Sequence, residues 1–110
     1  MTLGPTPVAI NTTWAVLHDA LTQRRAIRAS YHGELRVLCP HALGWKKGRA
    51  KALVYQTALI GRSPEQNSRG WRSLFVDEIQ TPLITNDPWE SAHNYTPHTT
   101  AIDTIAAAIT

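Results

Sequence analysis

The chain has 110 residues, of which 43% are apolar and 17% are charged, and its formal net charge at pH 7 is +3. This composition predicts one globular domain that folds without disulfides or metal, and it argues against extended disorder. The N-terminus lacks the layout of a signal peptide, and no apolar run approaches the about 18 residues of a membrane-spanning helix. We therefore expect a cytoplasmic protein.

The first 25 residues are predicted to form an arm and a helix. Residues 1–12 contain two prolines and a glycine, which favour an irregular arm. Trp14, Leu17 and Leu21 then recur at i, i+3 and i+7, so an amphipathic helix is predicted over residues 13–25.

Alternation replaces the helical spacing at Ile27. Residues 27–31 and 35–39 alternate apolar and polar side chains, with a short turn between them, and Pro40 is expected to end the second strand. The next predicted elements are a turn at 44–48, a strand at 52–59, a solvent loop at 61–70, a strand at 71–79 and a short strand at 83–84.

The last part of the chain is predicted to be a polar surface segment followed by a second helix. Residues 86–100 are polar, aromatic and proline-bearing. Ile102, Ile105 and Ile109 follow at i, i+3 and i+7, with Thr99 and Thr100 as possible helix caps.

This order of elements predicts a mainly β fold: a small SH3-like or Sm-like antiparallel barrel with one N-terminal and one C-terminal helix. The alternative is a four-stranded open sheet covered by two helices. Crossover helices are missing, so a doubly wound sheet is excluded. The expected division is an arm at 1–12, a helix-plus-barrel domain at 13–85 and a C-terminal extension at 86–110.

The basic residues are concentrated in two short stretches. Lys46, Lys47, Arg49 and Lys51 form one cluster, and Arg24, Arg25 and Arg28 form the other. Such clusters indicate attraction for phosphates or an acidic partner, or else solvated turns and helix ends.

Catalysis, cofactors and metals find little support in the sequence. No enzymatic motif is present, so we expect a binding protein that is not an enzyme and uses no cofactor. Cys39 is the only cysteine and is expected to be a buried, inert thiol. His93, His98 and Asp103 are too irregularly spaced to predict a metal site.

The order of motifs resembles the WYL domains of bacterial regulators. The resemblance spans about residues 14–84 and rests on the following pieces: Leu17 with Ala20, Ile27 to Tyr31, Gly33, Arg36 to Pro40, Gly48-Arg49, Leu53 to Tyr55, and Arg72 to Ile79. The "PHAL" of residues 40–43 is similar to WYL regulators found beside phage-defence genes.

The resemblance implies an Sm-like barrel that senses a nucleotide or nucleic-acid fragment. By position, Tyr31, His41, Arg49 and Arg72 would form its pocket. The chain departs from the family pattern in two places, because Ala50-Lys51-Ala52 stands where the family has its naming tripeptide and Glu78 replaces an arginine. A winged helix for DNA is also not evident before the strands, so sequence-specific reading of DNA is not expected.

Two functional hypotheses follow. The first is a ligand-sensing or accessory domain that binds an anion and modulates a regulatory partner; Lys46 and Lys47 would contribute beside Trp45, as in a stacking platform for single-stranded nucleic acid. The second is a protein-interaction module or homodimer without a ligand, assembled through the terminal helices and Trp89.

Overall fold

A computed structural model describes residues 7–62, 69–92 and 101–109 of the chain. Its elements in chain order are α1 (Pro7–Gln23), β1 (Ile27–Tyr31), β2 (Glu34–Lys46), β3 (Arg49–Leu59), β4 (Gly70–Phe75), a 3-10 turn (Val76–Glu78), β5 (Ile79–Ile84) and β6 (Thr104–Ala108). Most of the predicted loop at 61–70 and the proposed caps Thr99 and Thr100 lie outside the described residues. Within these ranges, no helix is both long and apolar enough to cross a membrane.

Helix α1 begins at Pro7, so the prediction of an irregular arm up to residue 12 is wrong from that residue onward. Proline fits the first turn of a helix, because the amide hydrogen that it lacks would have no partner there. The predicted apolar stripe is confirmed. Leu17, Ala20 and Leu21 are buried against the sheet.

The fold is mainly β, with a six-stranded antiparallel sheet and one N-terminal helix among the described residues. The strand order is β4-β3-β2-β1-β5, and β6 pairs with β2 off this path. Although the 3-10 turn joins β4 directly to β5, no ladder connects these two strands in the described part of the chain. The prediction of a closed barrel is therefore wrong, and the sheet is open.

Two hairpins of the same type define the sheet. His32-Gly33 joins β1 to β2 with φ values of +51° and +78°, and Lys47-Gly48 joins β2 to β3 with +50° and +81°. Positive φ at both positions is typical of the two-residue turns whose twist matches that of paired strands. The second turn is thus shorter than the predicted 44–48, and Gly44 belongs to β2.

Strand β2 continues six residues beyond Pro40, contrary to the prediction that proline ends it. The pairing with β3 skips His41 between Pro40 and Ala42, which places a bulge beside the proline. On the other edge of β2, the ladder with β1 ends at Leu38 and the ladder with β6 begins at Ala42. Pro40 therefore lies where the missing amide hydrogen interrupts no ladder bond.

The C-terminal helix predicted from Ile102, Ile105 and Ile109 is wrong, because residues 104–108 form strand β6 along β2. The pairing of β6 shifts between Leu43 and Gly44 of β2, which leaves Ala106 as an extra residue. A bulge returns residues three apart to the same face of a strand. This explains why Ile105 and Ala108 share one cluster and why the spacing mimicked a helix.

The two faces of the sheet are covered differently. The inner face packs against α1 in the largest core cluster, which includes Leu38, Leu43 and Val54. The outer face is covered in part by residues 85–92, through Trp89, and in part by Ile102 and Ile105. The end of the outer face next to the Lys47-Gly48 turn carries the basic cluster.

Candidate anion-binding face

Three cations project from the outer face beside the Lys47-Gly48 turn. Lys46 pairs directly with Arg49, and Lys51 pairs with Gly44. Opposed residues of an antiparallel pair share a face, and residues two apart on one strand do so as well. Lys46, Arg49 and Lys51, together with Lys47 in the turn, are called the cationic face below.

Arg49 is held in place by an acidic partner and an aromatic ring. Its Nε and Nη2 donate to the two carboxylate oxygens of Asp77 at 3.2 and 2.6 Å, and Nη2 is 3.6 Å from a carboxylate oxygen of Glu78. The hydrogen bond to Asp77 raises the pKa of the Arg49 guanidinium. The guanidinium also lies 3.6 Å from the ring centroid of Phe75. This arrangement fixes the orientation of a side chain that is otherwise half exposed.

Lys51 is positioned by neutral groups. Its Nζ donates to the hydroxyl oxygen of Ser73 at 2.9 Å and lies 4.2 Å from the same Phe75 ring centroid. Among the residues that the structure describes, no carboxylate forms an ion pair with it. Lys51 therefore presents a positive charge that the surrounding side chains orient without neutralising it.

Lys46 and Lys47 flank Asp103, which precedes β6. The Lys46 Nζ donates to one carboxylate oxygen at 3.1 Å, and the backbone amide of Lys47 donates to the other at 3.0 Å. These hydrogen bonds, the amide's first, lower the pKa of Asp103. The ammonium group of Lys47 extends from the turn into solvent.

Tyr31 lies near Arg49, but its hydroxyl group contacts the carboxylate of Glu78. Its hydroxyl accepts a hydrogen bond from the Phe75 amide at 3.2 Å and donates to Glu78 at 3.4 Å. Burial is the main cause that raises its pKa. A carboxylate oxygen of Glu78 also lies 3.1 Å from Nε2 of His32. The two predicted site residues Tyr31 and Arg49 therefore contact the same carboxylate, that of Glu78.

His41 lies away from the cationic face, beneath residues 85–92. Its ring is fully buried, stacked on Trp89 at 4.6 Å and edge-on to Trp71 at 4.7 Å. Along β2, Lys46 is five residues farther on, or about 16 Å at about 3.3 Å per residue. The structure thus does not bring His41 together with Arg49.

Arg72 and Trp45 also point elsewhere. Arg72 donates to the backbone oxygen of Trp71 at 2.9 Å and belongs to the opposite face of β4 from Ser73 and Phe75. Trp45 is 41% exposed and stacks on Trp14 of α1 at 5.2 Å. Trp45 therefore faces away from Lys46, its neighbour in the sequence.

Sequence reasoning placed Lys51 in a basic cluster with Arg49 but did not group it with Ser73 and Phe75 on one surface. The alternation of side chains along a strand could have revealed this surface, because residues 49 and 51 of β3 share a face. The register of β3 with β4 then places residues 73 and 75 on the same face. The acidic partners Asp77 and Asp103 could not be assigned, because they lie 28 and 57 residues from Arg49 and Lys46.

Comparison with known proteins adds no relative: no family model, no curated protein and no solved structure matches the chain. In the described residues, no group of three or more His, Cys, Asp and Glu side chains could hold a metal ion. His93 and His98, which with Asp103 were too irregularly spaced to predict a metal site, lie outside those residues. The cationic face is the arrangement with the clearest chemical use.

Proposed function

We propose that the chain is a WYL-like ligand-sensing or accessory domain that binds an anionic ligand, a nucleotide or a short nucleic acid, on the cationic face. It acts by binding and modulates a regulatory partner, without catalysis. The observation that carries this proposal is Lys51, whose charge is oriented by Ser73 and Phe75 and is not neutralised by a carboxylate of the described residues. A phosphate oxygen is the natural acceptor for such an ammonium group.

Arg49 supports Lys51 from the next position on β3. A guanidinium has five N–H donors, and Asp77 engages only the edge formed by Nε and Nη2. The Nη1 donors, for which no partner is found among the described residues, are left for a phosphate while Asp77 keeps the group oriented, although Glu78 lies 3.6 Å from Nη2. Lys46 and Lys47 extend the same positive surface to the end of the hairpin, although Asp103 offsets part of their charge.

The proposal keeps three residues of the predicted site, Lys46, Lys47 and Arg49, and adds Lys51. Tyr31 contributes indirectly, because it donates a hydrogen bond to Glu78, and the Glu78 carboxylate lies 3.6 Å from Nη2 of Arg49. His41 and Arg72 lie outside the proposed contact surface. The ligand is recognised by its negative charge, since the Phe75 ring already carries two cations and is not free to stack on a base.

The test is fluorescence anisotropy of a labelled single-stranded oligonucleotide, with ATP as competitor, over a range of salt concentrations. We expect binding that weakens steeply with added salt, because contact with phosphates releases counterions. Lys51→Ala should weaken binding about tenfold, in keeping with the loss of one charged hydrogen bond. Arg62→Ala is the matched control, because it also removes one positive charge but lies in an ion pair with Glu34 near the other end of β2.

Equal affinity in Lys51→Ala and Arg62→Ala would remove Lys51 from the site. Undetectable binding of both oligonucleotide and ATP at low salt by a folded chain would overturn the proposed function itself. A circular dichroism spectrum of each variant establishes that the fold persists.

A protein-interaction module remains the second candidate, although one of its two proposed terminal helices is replaced by β6. The observation in its favour is that Leu35 and Leu83 are 42% and 67% exposed on the outer face, away from the Lys47-Gly48 turn. Concentration-dependent dimerisation in light scattering, without anion binding, would favour this function.

A further inference from the structure

Strand β4 has one free edge, and the backbone of Ser73 faces it. In the described chain β4 pairs only with β3. The Phe75 amide donates to the Tyr31 hydroxyl at 3.2 Å, so it points away from β3. Backbone groups of an antiparallel strand point to the same side at every second residue, so the amide and the carbonyl of Ser73 also point away from β3. Neither has a hydrogen-bond partner among the described residues, and Ser73 therefore offers a donor and an acceptor to an additional strand.

Positive charge lies along this edge. The carbonyl of Trp71, which faces the edge by the same alternation, accepts a hydrogen bond from the Arg72 side chain at 2.9 Å. This contact places a guanidinium at the edge, and like charges oppose the pairing of two identical edges. The strands with a free edge in the described chain, β4, β5 and β6, contain no Asp or Glu that a second copy could bring to it. The edge therefore suits an acidic partner better than another copy of this chain.

Lys51 supplies a second positive charge close to Ser73. Its Nζ donates to the Ser73 hydroxyl at 2.9 Å, and no carboxylate of the described residues forms an ion pair with it. On an added strand, the residue directly opposite Ser73 would place its Cβ about 5 Å from that of Ser73 and on the same face. An Asp or Glu side chain at that position reaches the Lys51 ammonium group. The acid then forms the ion pair that the described residues do not supply.

We propose that the free edge of β4 docks an extended acidic segment of a protein partner, which joins the sheet as a strand with an Asp or Glu opposite Ser73. Backbone hydrogen bonds to Ser73 hold the segment, and Lys51 selects the acidic side chain. Two residues from the acid, the segment lies beside the half-buried Trp71, where a β-branched side chain packs. The inference rests on the proposed function, because it names the regulatory partner of the cationic face, and Lys51 makes the segment and the anionic ligand compete.

Fluorescence anisotropy of labelled peptides at low salt tests the docking site. The first peptide is threonine-rich, with a glutamate and a valine two positions apart, so that both lie on one face of a strand. The second has glutamine in place of the glutamate, and the third has the glutamate and the valine adjacent, on opposite faces. We expect the first peptide to bind about tenfold more tightly than the second, because it forms a charged hydrogen bond with Lys51. The third should also bind more weakly than the first, since only one of its two side chains can face Ser73 and Trp71.

Two pairs of variants separate the backbone contact from the charge. Ser73→Pro removes the edge amide without removing a ladder bond to β3, so it should abolish binding of all three peptides. Ser73→Thr keeps the amide and the hydroxyl and is its control. Lys51→Ala should bind the glutamate and glutamine peptides equally, whereas Arg62→Ala should retain the difference of about tenfold.

Hydrogen exchange of the Ser73 amide, followed by NMR in the unmodified chain, keeps the test decisive even if Ser73→Pro does not fold. Exchange should slow when the first peptide is added. Exchange that slows with protein concentration alone would show a second copy at this edge and would overturn the proposal. So would unchanged exchange with the peptide bound, equal binding of the glutamate and glutamine peptides, or a preserved difference between them in Lys51→Ala.

The docking site and the proposed function can fail separately. If a folded chain binds the oligonucleotide but none of the peptides, the proposed function stands and this inference is wrong. If the chain binds the first peptide in a manner that depends on Lys51, but binds neither oligonucleotide nor ATP, the docking site stands and the anionic ligand is wrong. Unlabelled oligonucleotide should displace the first peptide, and simultaneous binding of the two would overturn the assignment of Lys51 to both.

Discussion

The two ends of the outer face treat polar groups in opposite ways. At the end beside the Lys47-Gly48 turn, called the hairpin end, Lys51 and Arg49 are charged, partly exposed and oriented by Phe75. At the other end, called the strap end because residues 85–92 cover it as a strap, His41 and Cys39 are fully buried and bonded to the backbone beneath Trp89. The outer face of the sheet thus carries an exposed, charged surface at one end and a buried, aromatic cluster at the other.

This difference separates binding from stability. An exposed ion pair contributes little to folding, so the side chains of the hairpin end can exchange partners without cost to the fold. A buried polar group has to keep its hydrogen bond, and a buried aromatic ring contributes through the apolar area that it removes from water. Variants of the strap end should therefore change stability, and those of the hairpin end should change affinity.

Trp89→Ala should have the largest effect on stability. We expect the free energy of unfolding to fall by about 3 kcal/mol, because the substitution removes the stacking on His41 and leaves a cavity over Cys39. Urea denaturation measures the loss, and oligonucleotide affinity at low salt should stay within a factor of about two. Trp45→Ala is the matched control, since that ring is 41% exposed and should cost about 1 kcal/mol. Equal losses in the two variants would show that the strap does not stabilise the fold.

Gly44→Ala should have the next largest effect on stability. Gly44 lies on β2 between the two ends of the outer face. A Cβ at this position would overlap the Thr104 carbonyl oxygen and lie 2.6 Å from Cγ2 of Ile102, so β6 would have to move. We expect a loss of about 2 kcal/mol in the free energy of unfolding, measured in urea. Gly33→Ala is the control, because its site is open and only its φ of +78° opposes a side chain, at a cost of about 1 kcal/mol. A smaller loss for Gly44→Ala than for Gly33→Ala would contradict the close approach of β6.

Local patterns predicted the first hairpin of the sheet. The bounds of β1 agree with the predicted residues 27–31, because alternation on both sides of a Gly-containing turn specifies a hairpin. The same logic failed at Pro40 and Ile105, where bulges change the parity of the strand. A bulge depends on the partner strand, which the local sequence does not reveal. The alanine-rich C-terminus also has high helix propensity, and pairing with β2 overrides it.

The candidate site was predictable only in part, for a related reason. The clustering of Lys46, Lys47 and Arg49 in the sequence identified the hairpin end. His41 stands in the same stretch, yet the bulge and the strap bury it on the strap side. Which cations are neutralised depends on Asp77 and Asp103, and only the fold brings these near the hairpin.

Asp77→Asn should have the smallest effect, and it should increase oligonucleotide affinity, because it makes the hairpin end more positive. The amide keeps one acceptor for Arg49 but removes the negative charge that a bound phosphate has to face. We expect oligonucleotide affinity to rise about threefold, within the range of up to about 1 kcal/mol that exposed ion pairs contribute, with unchanged stability. Asp19→Asn, an exposed position on α1, alters the net charge equally and should leave affinity nearly unchanged. If Asp77→Asn weakened binding, Asp77 would act mainly by orienting Arg49, and the guanidinium rather than the net charge of the face would limit affinity.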